Sequence, residues 1–392
     1  MKLAKLSLAA LVAVGAFSVA NATSLESAIK GVDVSGYVRY RYYNEDNNVA
    51  GAKTDRHRFT VPILFKVPVS DKVTAAVAMF AQENDYATDG RAGAGTSQPY
   101  SDSSFNLSRM WFNYVDAGWN VKLGRQLIAT PYTEGGITGS YGDGLVAMYS
   151  PTSNLTVAAA GFVKSNQTVD GAVGGLALNN ENIYAAAAIG SFSGVNAQLW
   201  AFKVTHVVKN AFFLQLSGSV AGLTLTGQGS WTKLDDDAYT ALNAAGVVNN
   251  DDTGAFYGIK AKYAMDNFNV CAGYTTTSKN NGISTLDADG GLIKAGKQIY
   301  YKTTNARDTD VYFFTAGAGF GQWSVGAGYV GASSVNGTTL DGASEVYGQV
   351  GYKYNKHMGV SAYYSALDMD KVDDSVAGGD NNEFRLEVKY SF

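Results

Sequence analysis

From residue 383 to residue 392 the chain alternates strictly. Phe384, Leu386, Val388, Tyr390 and Phe392 share one parity; Glu383, Arg385, Glu387 and Lys389 share the other. Side chains of an extended strand point to opposite faces in turn, so this strand is oily on one side and charged on the other. Val34, Gly36, Val38, Tyr40 and Tyr42 repeat the design against Asp33, Ser35, Tyr37, Arg39 and Arg41. A second strand sets His57, Phe59, Val61, Ile63, Phe65 and Val67 against Arg56, Arg58, Thr60, Pro62, Leu64 and Lys66. Pro62 cannot donate to a ladder, which predicts a bulge there.

After these two strands, the pattern predicts others near 72–84, 105–115, 119–126, 144–150, 154–163, 182–192, 195–206, 209–219 and 222–233. More follow near 254–265, 267–278, 309–319, 322–331, 343–354, 358–368 and 382–392. The count is 18, with 16 as the alternative because 105–115 and 144–150 alternate least cleanly. Short turns such as Ala264-Met265-Asp266-Asn267 and Tyr354-Asn355-Lys356-His357 mostly alternate with long polar segments. The long segments 85–104, 164–181, 234–253, 279–308, 332–342 and 369–381 suit a cell exterior. Strands with lipid on one face and water on the other read as an all-β transmembrane antiparallel barrel, in one domain.

The beginning of the chain agrees with that address. Lys2 and Lys5 precede an apolar run from Leu6 to Ala20, and Ala20-Asn21-Ala22 has the form of a cleavage site. Residues 1–22 read as a secretory signal peptide and 23–392 as the barrel. No stretch of 23–392 approaches the ~20 apolar residues of a membrane helix. The 45 glycines, 25 tyrosines and 18 phenylalanines suit crowded barrel walls and aromatic girdles. With a single cysteine, Cys271, no intrachain disulfide is available despite an oxidising destination. Against 34 acids stand 30 basic residues, 28 once Lys2 and Lys5 are removed, so the exported part carries about −6.

The candidate chemistry is charge placement. Gly124-Arg125-Gln126, the 127–143 stretch, Gly142-Asp143-Gly144 and a strand ending Tyr149-Ser150-Pro151 resemble general bacterial porins. The resemblance implies an inward-folded constriction loop. Glu134 and Asp143 would then face the pore opposite Arg39, Arg41, Arg56, Arg58 and Arg125. Rings of fixed charge in such a wall set which ions enter. The four arginines of the first two strands form a ladder; they either steer anions or pair with carboxylates and stiffen the wall. Acid clusters at Asp235-Asp236-Asp237, at Asp251-Asp252, at Asp287 with Asp289, and at Asp370, Asp373 and Asp374 lack Ca²⁺-loop spacing and read as solvated loop charge. Gly291 to Lys297 matches G-x-x-x-x-G-K, but Gln298 stands where a Mg²⁺-binding hydroxyl is needed. The three histidines are isolated and no hydrolase signature occurs, so neither an enzyme nor a cofactor is expected.

The chain also resembles the Campylobacter-type major outer-membrane porins. The likeness runs through Ala20-Asn21-Ala22, Ser24-Leu25-Glu26-Ser27-Ala28-Ile29-Lys30, Ile183-Tyr184-Ala185-Ala186-Ala187-Ala188-Ile189-Gly190-Ser191-Phe192 and Gln198-Leu199-Trp200. It returns in Val350-Gly351-Tyr352-Lys353-Tyr354 and Ser361-Ala362-Tyr363-Tyr364-Ser365. It implies an 18-stranded homotrimer in the outer membrane, in contact with lipid and lipopolysaccharide rather than nucleic acid. It further implies passive diffusion of ions and small hydrophilic solutes with a weak cation preference. The alternative reading is a substrate-specific porin whose arginine ladder guides small carboxylates.

Overall fold

The computed structural model describes residues 31–47, 52–88, 104–134, 139–165, 181–287, 290–303, 305–334, 340–369 and 380–392. The leader expected at 1–22 lies outside them, as do Asp289, Asp370, Asp373 and Asp374. The strands are β1 (Asp33–Asn47), β2 (Ala52–Pro68), β3 (Val73–Thr88), β4 (Ser104–Asp116), β5 (Trp119–Leu127) and β6 (Tyr141–Thr152). Next come β7 (Leu155–Ser165), β8 (Ile183–Phe192), β9 (Val195–Val204), β10 (Val208–Val220), β11 (Leu223–Leu234) and β12 (Thr253–Met265). The last six are β13 (Phe268–Thr277), β14 (Asp310–Phe320), β15 (Trp323–Ser333), β16 (Ser344–Lys353), β17 (Met358–Asp368) and β18 (Asn381–Ser391). Among the described residues, two short helices lie in connections, α1 (Asp236–Ala244) and α2 (Tyr300–Thr303).

Each strand pairs antiparallel with its neighbours in the chain, and β1 pairs with β18, so the 18-stranded sheet closes on itself. Closure removes the unpaired edge that lipid could not satisfy. The outward parity carries Phe112, Leu123, Ile259 and Phe314, each more than half exposed, as hydrocarbon contact requires. Rings cluster beside the short turns: Trp119 stacks on Tyr149 at 4.7 Å and Trp323 lies 4.6 Å from Tyr352. These form the aromatic girdle of one rim.

Pro62 does not make the expected bulge. Pairing simply lapses between Gly36↔Ile63 and Arg39↔Thr60, with the register intact on both sides. The irregularity sits on β4 instead, where Ala78 opposes Arg109 and Met79 opposes Leu107, leaving Ser108 extra. That bulge explains why 105–115 alternates poorly.

The lumen is not uniformly wet. On the β8–β16 side, Phe202, Phe213, Phe256, Val311 and Val330 point inward and are buried. They cover apolar side chains of two connections, among them Tyr132, Ile283, Leu286, Ile293 and Ile299. The described part of the 279–308 segment, expected outside the cell, folds into the barrel. Its apolar residues need covering, and the inner wall supplies the cover.

Candidate functional site

The two inward connections split the lumen into a packed half and a polar half. On the packed side, Tyr132 of the β5–β6 connection lies 5.1 Å from the Phe202 ring and 6.3 Å from that of Phe213. Burial pushes its phenol well above the usual tyrosine range. Main-chain groups taken from water need partners, and the inner wall supplies several. Thr232 Oγ1 donates to the Ile283 carbonyl, and Ser230 Oγ donates to that of Ser284 at 2.7 Å. Gln228 donates to the Gly291 carbonyl at 2.9 Å and accepts from Ile293 N at 2.6 Å.

The two connections also hold each other. Leu286 N donates to the Tyr132 carbonyl at 3.2 Å and Gly291 N to the Pro131 carbonyl at 2.9 Å. Glu134 N donates to Asp287 Oδ2 at 2.9 Å, and Ser140 Oγ donates to the same oxygen at 3.3 Å. Glu134 is therefore seated by a residue 153 positions later in the chain.

On the polar side is a cavity of about 870 Å³. Arg39, Arg41, Arg56 and Arg58 line it from β1 and β2, and Glu134, Lys294, Lys297 and Tyr300 line it from the inward connections. Glu45 joins from β1, while Tyr363, Glu383 and Arg385 complete it from β17 and β18. Directly paired residues of adjacent strands share a face, and the register stacks these groups in rungs. Arg41 lies opposite Arg58 and Glu387; Tyr43 lies opposite Arg56 and Arg385.

The guanidinium groups are held in place. Arg41 Nε donates to Glu387 at 2.5 Å and Arg56 Nη2 donates to Glu45 Oε1 at 2.9 Å. Arg56 also stacks 4.0 Å above the Tyr43 ring, and Arg385 4.4 Å above Tyr363. Tyr363 donates to Glu383. Stacking plus a carboxylate partner restrains the plane of such a cation.

Two expected pore residues lie elsewhere. Arg125 and Asp143 face each other across β5 and β6 at 2.7 and 3.1 Å. Their register places them on the parity of the exposed Leu123, Leu145 and Met110, the outward face. The side-chain period of two decides it, and a loop reading that extends to 143 overshoots the start of β6. Conversely, Lys294, Lys297 and Tyr300 line the cavity from a segment expected outside the cell, and Glu383 and Arg385 line it from the last strand. The charged parity of the last strand already pointed to Glu383 and Arg385. For the segment at 279–308 the available signal was its apolar content, unusual for a solvated loop.

A closed antiparallel barrel with a polar, loop-narrowed lumen defines an outer-membrane porin. The chain belongs to the Campylobacter major outer membrane protein family, whose model matches residues 1–392. No curated protein matches it. Among solved structures, OpdK of Pseudomonas aeruginosa with vanillate superposes at TM-score 0.72 and 12% identity, covering 93% of this chain and 99% of that one. Acinetobacter baumannii OccAB1 superposes at TM-score 0.71 and 16% identity, covering 92% and 96%. Pseudomonas aeruginosa OccK3 gives TM-score 0.69 and 14% identity, covering 94% and 97%. At such identities the likeness is one of fold.

Proposed function

We propose that the chain is a passive diffusion channel whose eyelet favours small hydrophilic solutes bearing a carboxylate. The observation that carries this reading is the charge around the cavity. Among the described residues, seven lining side chains are cationic (Arg39, Arg41, Arg56, Arg58, Lys294, Lys297 and Arg385) and three are carboxylates (Glu45, Glu134 and Glu383). Fixed cations in a low-dielectric wall raise the local concentration of anions, and stacked guanidiniums match carboxylate geometry. OpdK with vanillate, itself a carboxylate, supports the reading as an analogy of fold. No bond is made or broken; solutes move down their gradient.

Weak cation preference is the second reading. It is favoured by the excess of acids over bases, 34 to 30, and by acids such as Asp235, Asp236 and Asp237 outside the strands. Planar-bilayer recordings of the purified protein separate the two. The first reading expects an anion-directed reversal potential in a salt gradient and saturable block by vanillate. A cation-directed potential with linear conductance would sink it. Export by the leader at 1–22 and assembly as a homotrimer belong to the same proposal. An Arg125–Asp143 pair on the outward face is better accommodated by protein than by hydrocarbon, which supports the trimer.

A further inference from the structure

We infer that the connection between β13 and β14 is a latched selectivity element: Lys297 is its specificity-determining charge and Glu345 is the positioning residue that seats it. The inference rests on the porin reading of the cavity but not on which ion that cavity prefers.

Glu345 on β16 is fully buried, and its carboxylate accepts from three main-chain N–H groups and one hydroxyl. Oε1 accepts from Lys297 N at 2.7 Å and Ser365 Oγ at 2.6 Å; Oε2 accepts from Ile299 N at 3.0 Å; Gln298 N lies within 3.3 Å of both. Successive main-chain N–H groups converging on one carboxylate form an anion nest, here filled by the barrel's own wall. Gly296 makes the approach possible. Its φ is +100°, and a Cβ there would sit 2.5 Å from Glu345 Oε2. The neighbouring Gln298 side chain adds a second tie, donating to Ser365 Oγ at 3.0 Å and to the Asn381 carbonyl at 3.2 Å.

The latch has a directional result. With the main chain of 297–299 pinned to β16, the Lys297 side chain crosses the rings of Tyr347 and Tyr363 at 4.9 and 5.2 Å. Its Nζ donates to Gln349 at 2.6 Å, and the residue lines the cavity facing the arginine rungs. The far end of the connection is anchored on β11 through Gln228, Ser230 and Thr232, so the element spans the lumen between two separate wall regions. Freed at Glu345, it would keep only the side-chain ties of Gln298 and Lys297 on the β16–β18 side, and the main chain would no longer seat Lys297 at the eyelet.

Single-channel recordings with reversal potentials in a KCl gradient test this, each variant first shown to be a heat-modifiable barrel. Lys297→Gln should move the cation-to-anion permeability ratio toward cations by about twofold, the opposite effects on the two ions of one unit charge roughly 8 Å from the ion path at water-like dielectric, screened by ~0.1 M salt. Glu345→Ala and Gly296→Ala should each raise conductance and cancel the further effect of Lys297→Gln in the double variant. Glu345→Gln keeps an accepting oxygen and should lie nearer the parent than Glu345→Ala. An unchanged ratio in Lys297→Gln overturns the charge assignment, whatever the parent's own preference. Parent-like conductance in Gly296→Ala with the Lys297→Gln shift intact overturns the latch, as do equal effects of Ala and Gln at 345. Should Glu345→Ala not insert, Gly296→Ala decides the latch and Lys297→Gln the charge.

Discussion

Gly36 and Phe392 exchange two main-chain hydrogen bonds, each 3.0 Å, at the seam where the first and last strands meet. The terminal residue thus completes the ring rather than fraying from it. A Cβ at Gly36 would sit 2.3 Å from the Pro62 carbonyl oxygen and 3.0 Å from the Phe392 ring. Gly36→Ala should therefore destabilise the barrel by about 1–3 kcal/mol, the usual cost of overpacking. Gly348→Ala, where a Cβ meets nothing within 4 Å, is the control. Urea unfolding in detergent, followed by gel mobility, reads the difference; equal midpoints for the two variants would remove the steric argument.

Glu134 and Asp143 were expected to act together, yet one lines the cavity and the other sits on the outward face. Glu134→Gln should shift the reversal potential toward anions, while Asp143→Asn should leave it unchanged. The Asp143 change should instead appear in assembly or thermal stability, since it strands Arg125. A reversal-potential shift in Asp143→Asn matching that of Glu134→Gln would restore the pore-facing placement.

The Arg41–Glu387 pair is mostly shielded, each side chain only 18% exposed. Removing one partner of a fully buried pair costs about 3–5 kcal/mol, and surface pairs contribute about 0–1. Glu387→Gln falls between them, at roughly 1–3 kcal/mol. It also leaves Arg41 uncompensated on the wall, so anion permeability should rise together with the loss of stability. A variant that loses stability without any change in permeability would mean the pair only stiffens the wall.

The outer surface was legible because lipid on one side and water on the other impose a period of two, which a single sequence displays openly. Val38, Phe59 and Phe384 fall on the outward face as the alternation requires. The interior was harder to read for a physical reason. Where connections pack into the lumen, the inward parity turns apolar as well, and Ala211-Phe212-Phe213-Leu214 becomes a continuous oily run. Burial on both faces erases alternation. Such runs on β10, β12 and β14 were the available sign that something covers the inner wall. What covers it depends on contacts between distant segments, Glu345 with 297–299 and Asp287 with Glu134, that no local pattern encodes.

Lys297 offers a titration that separates its charge from the permanent charge of the arginines. Burial first, and Arg385 beside it second, hold its amine below the ordinary lysine value of 10.5, with Glu345 opposing them. A depressed value means the proton leaves as pH rises before ordinary lysines lose theirs, while the arginines stay charged. Each deprotonation removes one positive charge facing the eyelet. The cation-to-anion permeability ratio should therefore climb on the alkaline side before ordinary lysines titrate, and this climb should shrink in Lys297→Gln. Tyr347, Tyr363 and Gln349 face the same amine. Tyr363→Phe, which keeps the ring and removes the phenol, should retain the climb. Identical pH profiles for the parent and Lys297→Gln would assign the titration to another group and take Lys297 out of the field that ions experience.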